Sequence, residues 1–178
     1  MLAVSTGMRQ GEILDLGWED VDLEAGTVMV RRTFTLSRGG PHLAEPKTSR
    51  SRQIRLTAGA VEALGRHRGR QEAERAAAGD NWNDQGLVFT TRIGTPIRQV
   101  KLHRESWKLL LRRAGVRDVG FHDLRHTCAT LLLTKGVYPK IVSEMLGHSS
   151  IAITLDIYFH VIPGLGDAAA SAMEEALS

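Results

Sequence analysis

Apolar residues along the chain fall into short runs of differing period, and those periods predict a mostly helical protein with one small sheet near its start. Leu2 to Val4 runs into Ser5-Thr6-Gly7, the look of a helix end closed by a glycine. Ile13, Leu14 and Leu16, with Glu12 and Asp15 between them, predict a short amphipathic helix over Arg9 to Leu16 that stops near Gly17-Trp18, with Arg9 at its first turn. Thr27 to Arg32 and Gln53 to Leu56 are rich in β-formers and partly alternate. Gly39-Gly40-Pro41 and Glu45-Pro46 punctuate the stretch between them, so a small antiparallel sheet is expected, with Lys47 on or beside its turns.

Thr57 reads as the N-cap of a helix from Ala58 to Ala78 that Gly79-Asp80 ends, and Val100 to Ala114 reads as a second, closed by Gly115. A β-like piece, Leu87 to Thr90, lies between them. From Phe121 onward the pattern predicts helices at His122 to Thr134, Tyr138 to Leu146, near Ile151 to Tyr158, and from Asp167 to Leu177, the last capped by Asp167. Gly136, Gly147 and Pro163-Gly164 separate them. With no internal repeat, low-complexity tract or long linker, the expected fold class is α+β: one mainly α domain with a small antiparallel β-sheet.

Composition agrees with one globular domain: 178 residues, 42% hydrophobic and 24% charged. The single cysteine, Cys128, has no intramolecular partner, which excludes a disulfide scaffold and points to a reducing, cytoplasmic compartment. Apolar stretches such as Ala129 to Leu133 fall far short of the roughly 20 residues a membrane helix needs, and Met1 to Met8 has no basic n-region. Lys and Arg number 23 against 20 Asp and Glu, a balance that permits nucleic acid as a partner without demanding it. Distribution says more. Between Arg31 and Arg70 ten cations face only Glu45 and Glu62, a segment suited to follow a phosphate backbone or to form a solvated Arg-rich surface.

The densest cluster of chemistry-bearing side chains is His122-Asp123-Leu124-Arg125-His126. His122 and Arg125, at i and i+3, project from one helix face and could clamp an anion. His122 and His126, at i and i+4, have the ligand spacing of a zinc helix, with Asp123 where such helices carry Glu. A helix start with surface histidines is the third reading.

Leu146-Gly147-His148-Ser149 begins 21 residues after Arg125, and Tyr158, followed by His160-Val161, comes ten after His148. With His122-x-x-Arg125, these spacings resemble the C-terminal signature of the tyrosine recombinases, the phage-integrase family. Thr6-Gly7-Met8-Arg9-Gln10-Gly11-Glu12 resembles that family's first-arginine motif, and Pro46-Lys47-Thr48-Ser49 before the strand Arg52 to Leu56 resembles its β-hairpin lysine. The resemblance covers about Leu2 to Val161; Phe159 stands where relatives often carry Ser or Thr.

The resemblance implies a tyrosine-recombinase catalytic domain over 1–178, with a tail helix within 164–178, and implies that an N-terminal core-binding domain and an opening helix stand outside this sequence. It implies double-stranded DNA as partner, a tetramer on DNA and a monomer without it, no cofactor and no metal, and a prokaryotic or phage, nucleoid-associated setting. Tyr158 would attack the phosphate and hold one strand as a 3′-phosphotyrosine. Arg9 and Arg125 would hold the non-bridging oxygens, His148 would hydrogen-bond the same phosphate, and His122 would take and return the tyrosine proton. Lys47 would protonate the 5′-oxygen leaving group, and Glu12 would orient or balance the arginines. Phosphodiester transfer needs a nucleophile, a proton acceptor, a proton donor and cations, and this set supplies all four. Competing readings are a type IB topoisomerase-like nicking and closing enzyme, a catalytically idle DNA-binding or regulatory fragment, and a zinc-dependent hydrolase. In the resembling family such a tail often docks on a neighbouring protomer, and a helix this short must pack somewhere.

Overall fold

Helix α1 (Leu2–Thr6) ends at Gly7, whose φ of 63° carries its N–H back to the Ala3 carbonyl. The computed structural model describes residues 1–31, 51–161 and 165–178, except the side chains of residues 101, 103–105 and 158–170. Helix α2 (Gln10–Leu14) follows with Arg9 as its N-cap, and Glu12 Oε2 accepts the Arg9 backbone N–H at 2.7 Å. The carboxylate thus caps the helix it belongs to.

Strands β1 (Val21–Asp22), β2 (Thr27–Val30) and β3 (Arg52–Arg55) form an antiparallel sheet in that order. Val28 lies opposite Ile54, and Val30 opposite Arg52. Alternation puts Val28, Val30 and Ile54 on the core face, where all three are buried. Arg52, two residues before Ile54, shares that inward face, while Gln53 and Arg55 are exposed.

Helix α3 (Ala58–Ala78) begins as expected, with Thr57 Oγ1 accepting the Ala60 N–H at 3.3 Å. Only Ala60, Leu64 and Gln71 are buried along it; its outer side carries i, i+4 pairs such as Glu62–Arg66 and Arg68–Glu72. Leu87 to Thr90 is not a strand: its ladder is reduced to single bridges, Gly17 with Leu87 and Thr90 with Pro96. Side chains take the backbone partners instead. Gln71 Nε2 donates to the Leu87 and Val88 carbonyls at 3.1 Å each, and His67 Nε2 lies 2.7 Å from the Val88 carbonyl.

The helix expected over 100–114 is divided into α4 (Gln99–Lys101), a π-helical stretch (Leu102–Trp107) and α5 (Lys108–Arg113). Trp107 anchors it by donating to the Val119 carbonyl at 2.7 Å and meeting Phe121 edge-on.

Helices α6 (Asp123–Thr134), α7 (Pro139–Leu146) and α8 (Ile151–Val161) pack together. Ala129, Leu133, Val142 and Leu146 are fully buried between them, each large aliphatic side chain contributing about 1.5–3 kcal/mol. α1 lies against α6, and α7 against β3, which brings Gly7, Arg52 and Gly147 toward one another. The tail helix α9 (Leu165–Leu177) starts two residues before Asp167, so Asp167 lies inside its first turn and is not its cap. Among the described residues no helix is long and apolar enough to cross a membrane.

Candidate active site

Three guanidinium groups converge on the C-terminal ends of two helices. Arg125, in the first turn of α6, is 4% exposed, and its Nη1 donates to the Gly7 carbonyl at 2.7 Å. Gly7 has little room to change: a Cβ there would run into the Leu146 side chain and lie 3.3 Å from Cys128 Sγ. The backbone turn that only glycine fits therefore delivers the carbonyl that fixes Arg125. Arg125 Nη2 is buried and has no partner among the described residues. Burial, with the neighbouring charge of Arg9, pushes Arg125 down to about 10, which leaves it cationic at neutral pH.

Arg9 Nη1 donates to Glu12 Oε1 at 3.1 Å, and its Nη2 to the Gly147 carbonyl at 3.2 Å. Its side chain remains 43% exposed, so one cation of the cluster is presented to solvent. Arg52 was missed as a site residue. From β3 its fork meets both Glu12 oxygens, Nη1 to Oε1 at 3.0 Å and Nη2 to Oε2 at 2.8 Å, and its Nε donates to the Met145 carbonyl at 2.8 Å. Burial alone would raise the Glu12 carboxyl, but the Arg52 fork and the Arg9 amide outweigh it and hold the group below its usual value. Glu12 is thus the ionised centre that two arginines share.

His148 is positioned by how α7 ends. The Gly147 N–H bonds the Glu144 carbonyl at 3.0 Å and the His148 N–H bonds the Ser143 carbonyl at 3.0 Å, a Schellman closure with Gly147 at φ 70°. A Cβ on Gly147 would come 2.8 Å from Arg52 Nη1, so glycine here serves both the turn and the close approach of the arginine. His148 Nδ1 lies 2.7 Å from Oγ1 of Thr154, a fully buried residue of α8 that sequence reading also passed over. Burial and the positive charges of Arg125, Arg9, His126 and Arg52 push His148 down to about 4.

His122 is the N-cap of α6, exposed, with its ring edge-on to His126 at 4.9 Å between centroids. Partial desolvation and the charges of His126, Arg125 and Arg9 hold it below its usual value, so it is neutral at pH 7. Among the described residues no group of three or more His, Cys, Asp or Glu side chains gathers as a metal site would. Tyr158 lies in α8, one helical turn beyond Thr154; its side chain is outside the described residues. Lys47 falls in the stretch between β2 and β3 and also lies outside them.

The basic run from Arg31 to Arg70 is less available than its count implies. Arg31 pairs with Asp20, Arg52 is buried on Glu12, and Arg66 and Arg68 pair with Glu62 and Glu72. The cluster as built is cationic and partly dehydrated, with the imidazoles of His122 and His148 held below their usual values by its charge, an arrangement chemically suited to holding a tetrahedral anion and moving protons.

The family model for the phage integrase family matches residues 1–163. The chain is similar to a tyrosine recombinase XerC-like protein of Caldanaerobacter subterraneus, 42% identical over 176 residues that cover 92% of this chain and 45% of that protein. It is similar to the prophage integrase IntR of Escherichia coli, 34% identical over 180 residues covering 93% of this chain and 43% of that one. Its fold matches the XerH site-specific recombinase bound to a palindromic difH substrate, with a TM-score of 0.67 and 29% identity over 97% of this chain and 44% of that one. The chain spans under half the length of each of these proteins.

Proposed function

The chain belongs to the phage integrase family, and from that premise we propose that it is the catalytic domain of a site-specific DNA recombinase that cuts and rejoins strands through a 3′-phosphotyrosine at Tyr158. The observation that carries this reading is Arg125: one guanidinium nitrogen is fixed on the Gly7 carbonyl while the other, buried, has no partner among the described residues. A buried donor without a partner costs about 1–3 kcal/mol, and a phosphate oxygen would satisfy it. Arg9, exposed beside it, would take a second non-bridging oxygen.

In the proposed reaction the Tyr158 oxygen attacks the scissile phosphorus, the bond to the 5′-oxygen breaks, and the phosphoryl group passes to tyrosine. His122, neutral at pH 7, takes the phenolic proton. His148 donates a hydrogen bond to a non-bridging oxygen, Lys47 protonates the departing 5′-oxygen, and Glu12 orients Arg9 and balances the charge of the arginines. The phosphotyrosine keeps the ester's energy, so a 5′-hydroxyl from another strand reverses the step without ATP. Because nucleophile, cations and proton carriers are all side chains, the reaction needs no metal. We further propose that the chain works in the cytoplasm on nucleoid DNA, as a monomer that assembles into a tetramer on paired sites, with α9 docked on a neighbouring protomer. The 1–178 chain is one catalytic domain of a longer recombinase on this reading.

The test is covalent trapping on a nicked suicide substrate whose cleaved end diffuses away. Wild-type protein should form an adduct that survives excess EDTA, and Tyr158→Phe should form none while still shifting DNA in a gel. An adduct persisting in Tyr158→Phe, or lost with EDTA, overturns the assignment.

A further inference from the structure

On the reading that His148 donates to the phosphate, its ring must carry a proton on the nitrogen that faces substrate, and we propose that Thr154 sets this tautomer by donating its buried hydroxyl to Nδ1, leaving the proton on Nε2. Thr154 is a positioning residue, and it acts through His148.

The geometry begins with the Thr154 hydroxyl, 2.7 Å from Nδ1 in a residue with no solvent exposure. A hydroxyl has one proton to place, and a buried one must place it on an acceptor. Helical threonines commonly donate to the carbonyl four residues back, as Thr127 does to the Asp123 carbonyl at 2.8 Å. Thr154 makes no such bond; among the described residues its side-chain partner is His148. Were His148 Nδ1–H the donor, the threonine proton would be buried with no acceptor among the described residues. Donation from Thr154 satisfies both groups.

The ring has a single proton to allot. His148 is pushed down to about 4 by burial and by Arg125, Arg9, His126 and Arg52, so it is neutral at pH 7. With Nδ1 occupied by the Thr154 O–H, Nε2–H is the donor left for an anion. The opposite tautomer would turn a lone pair toward a phosphate oxygen. The backbone holds both partners in place: the Schellman closure at Gly147 fixes His148, and Ser150 Oγ accepts the Ala152 N–H at 3.2 Å at the start of α8, one turn before Thr154.

Long-range proton–nitrogen correlation spectra of the 178-residue chain, labelled with nitrogen-15 histidine at pH 7, test this directly, with His148→Gln identifying the His148 signals. Wild type should show Nε2 protonated and Nδ1 bare but hydrogen-bonded. Thr154→Val should move the Nδ1 resonance toward a free nitrogen and raise the Nδ1–H fraction, and Thr154→Ser should restore the wild-type pattern. Adduct formation on the suicide substrate should fall roughly tenfold in Thr154→Val, the size of one hydrogen bond, with half-saturating DNA unchanged and recovery in Thr154→Ser. Protonated Nδ1 in wild type overturns the proposal even if the valine variant folds poorly, as does a folded valine variant matching wild type in both spectrum and rate. Absence of any wild-type adduct would remove the recombinase reading, while the Nε2–H spectrum with its threonine dependence would still establish the tautomer assignment.

Discussion

Arg52 and Glu12, 40 residues apart in sequence, meet through two parallel hydrogen bonds of 3.0 and 2.8 Å with both side chains nearly buried. The pair ties β3 to the start of α2, and the remaining Arg52 nitrogen ties both to the end of α7. Arg9 then shares the same carboxylate, so the placement of this exposed cation depends on a nearly buried pair.

Breaking a buried ion pair by removing one partner costs about 3–5 kcal/mol, with Arg52→Ala at the low end because Arg9 keeps its bonds to Glu12, whereas replacing both with apolar residues of like size is far milder. Arg52→Ala is therefore expected to lower unfolding stability by about that amount, Arg52→Lys to recover only part because ammonium cannot fork, and Arg52→Met with Glu12→Leu to lose less than either single change. Urea unfolding curves of these three variants and of the single changes Arg52→Met and Glu12→Leu measure it. Additive losses in the double variant would show that the two residues are not coupled.

What was legible in the sequence was local. Thr57, Gly7 and Gly147 announce helix ends because a cap needs only its own few neighbours, and the alternation at Gln53 to Leu56 announces β3 for the same reason. The two-residue strand β1 has no pattern of its own and exists through its pairing with β2. Arg52 was hidden by its company: within a run of arginines it looks like one more cation for a phosphate backbone. One clue was present, since Arg52, Ile54 and Leu56 alternate, and a strand that buries Ile54 must turn Arg52 the same way. Thr154 offered no clue, because its partner His148 is fixed by a turn between two helices.

Gly7 and Gly115 separate backbone strain from packing. Both have φ near 63°, at 63° and 64°, but a Cβ meets Leu146 and Cys128 at Gly7 and nothing within 4 Å at Gly115. Alanine at Gly115 should cost about 1 kcal/mol for the left-handed backbone alone. At Gly7 overpacking adds about 1–3 kcal/mol, and the shifted carbonyl should loosen Arg125. Thermal melts of the two variants give the difference. Equal losses would mean that the Leu146 and Cys128 side chains beside Gly7 yield freely.

Acid should weaken the fold in two stages. Above pH 6.5 His148 is neutral in both folded and unfolded chains and adds no pH dependence. As pH falls below that value the unfolded chain binds a proton that the folded one refuses until about 4, so stability declines across this window. Glu12, held below its usual 4.5, adds its own loss only below that point, when the unfolded carboxyl protonates first. His148→Gln should flatten the decline between about pH 6.5 and 4.5 and leave the steeper acid limb. Melting temperatures read at half-unit pH steps test it; an unchanged slope in that window would assign the decline to other groups.

The last expectation concerns Lys47, whose proposed work is done on the departing 5′-oxygen. An alkoxide is a poor leaving group unless it is protonated as the bond breaks, whereas a sulfur in the same bridging position leaves as a thiolate without that help. Lys47→Ala should therefore slow adduct formation strongly on ordinary DNA, by on the order of 10²-fold or more, and regain most of the loss on a 5′-bridging phosphorothioate substrate. Arg125→Ala should be slow on both, because its proposed contacts are to the non-bridging oxygens, which the sulfur leaves unchanged. Matched single-turnover rates on the two substrates separate the roles. Equal rescue of both variants would reject Lys47 as the acid, and failure to rescue Lys47→Ala would assign it to binding the phosphate or holding the strand.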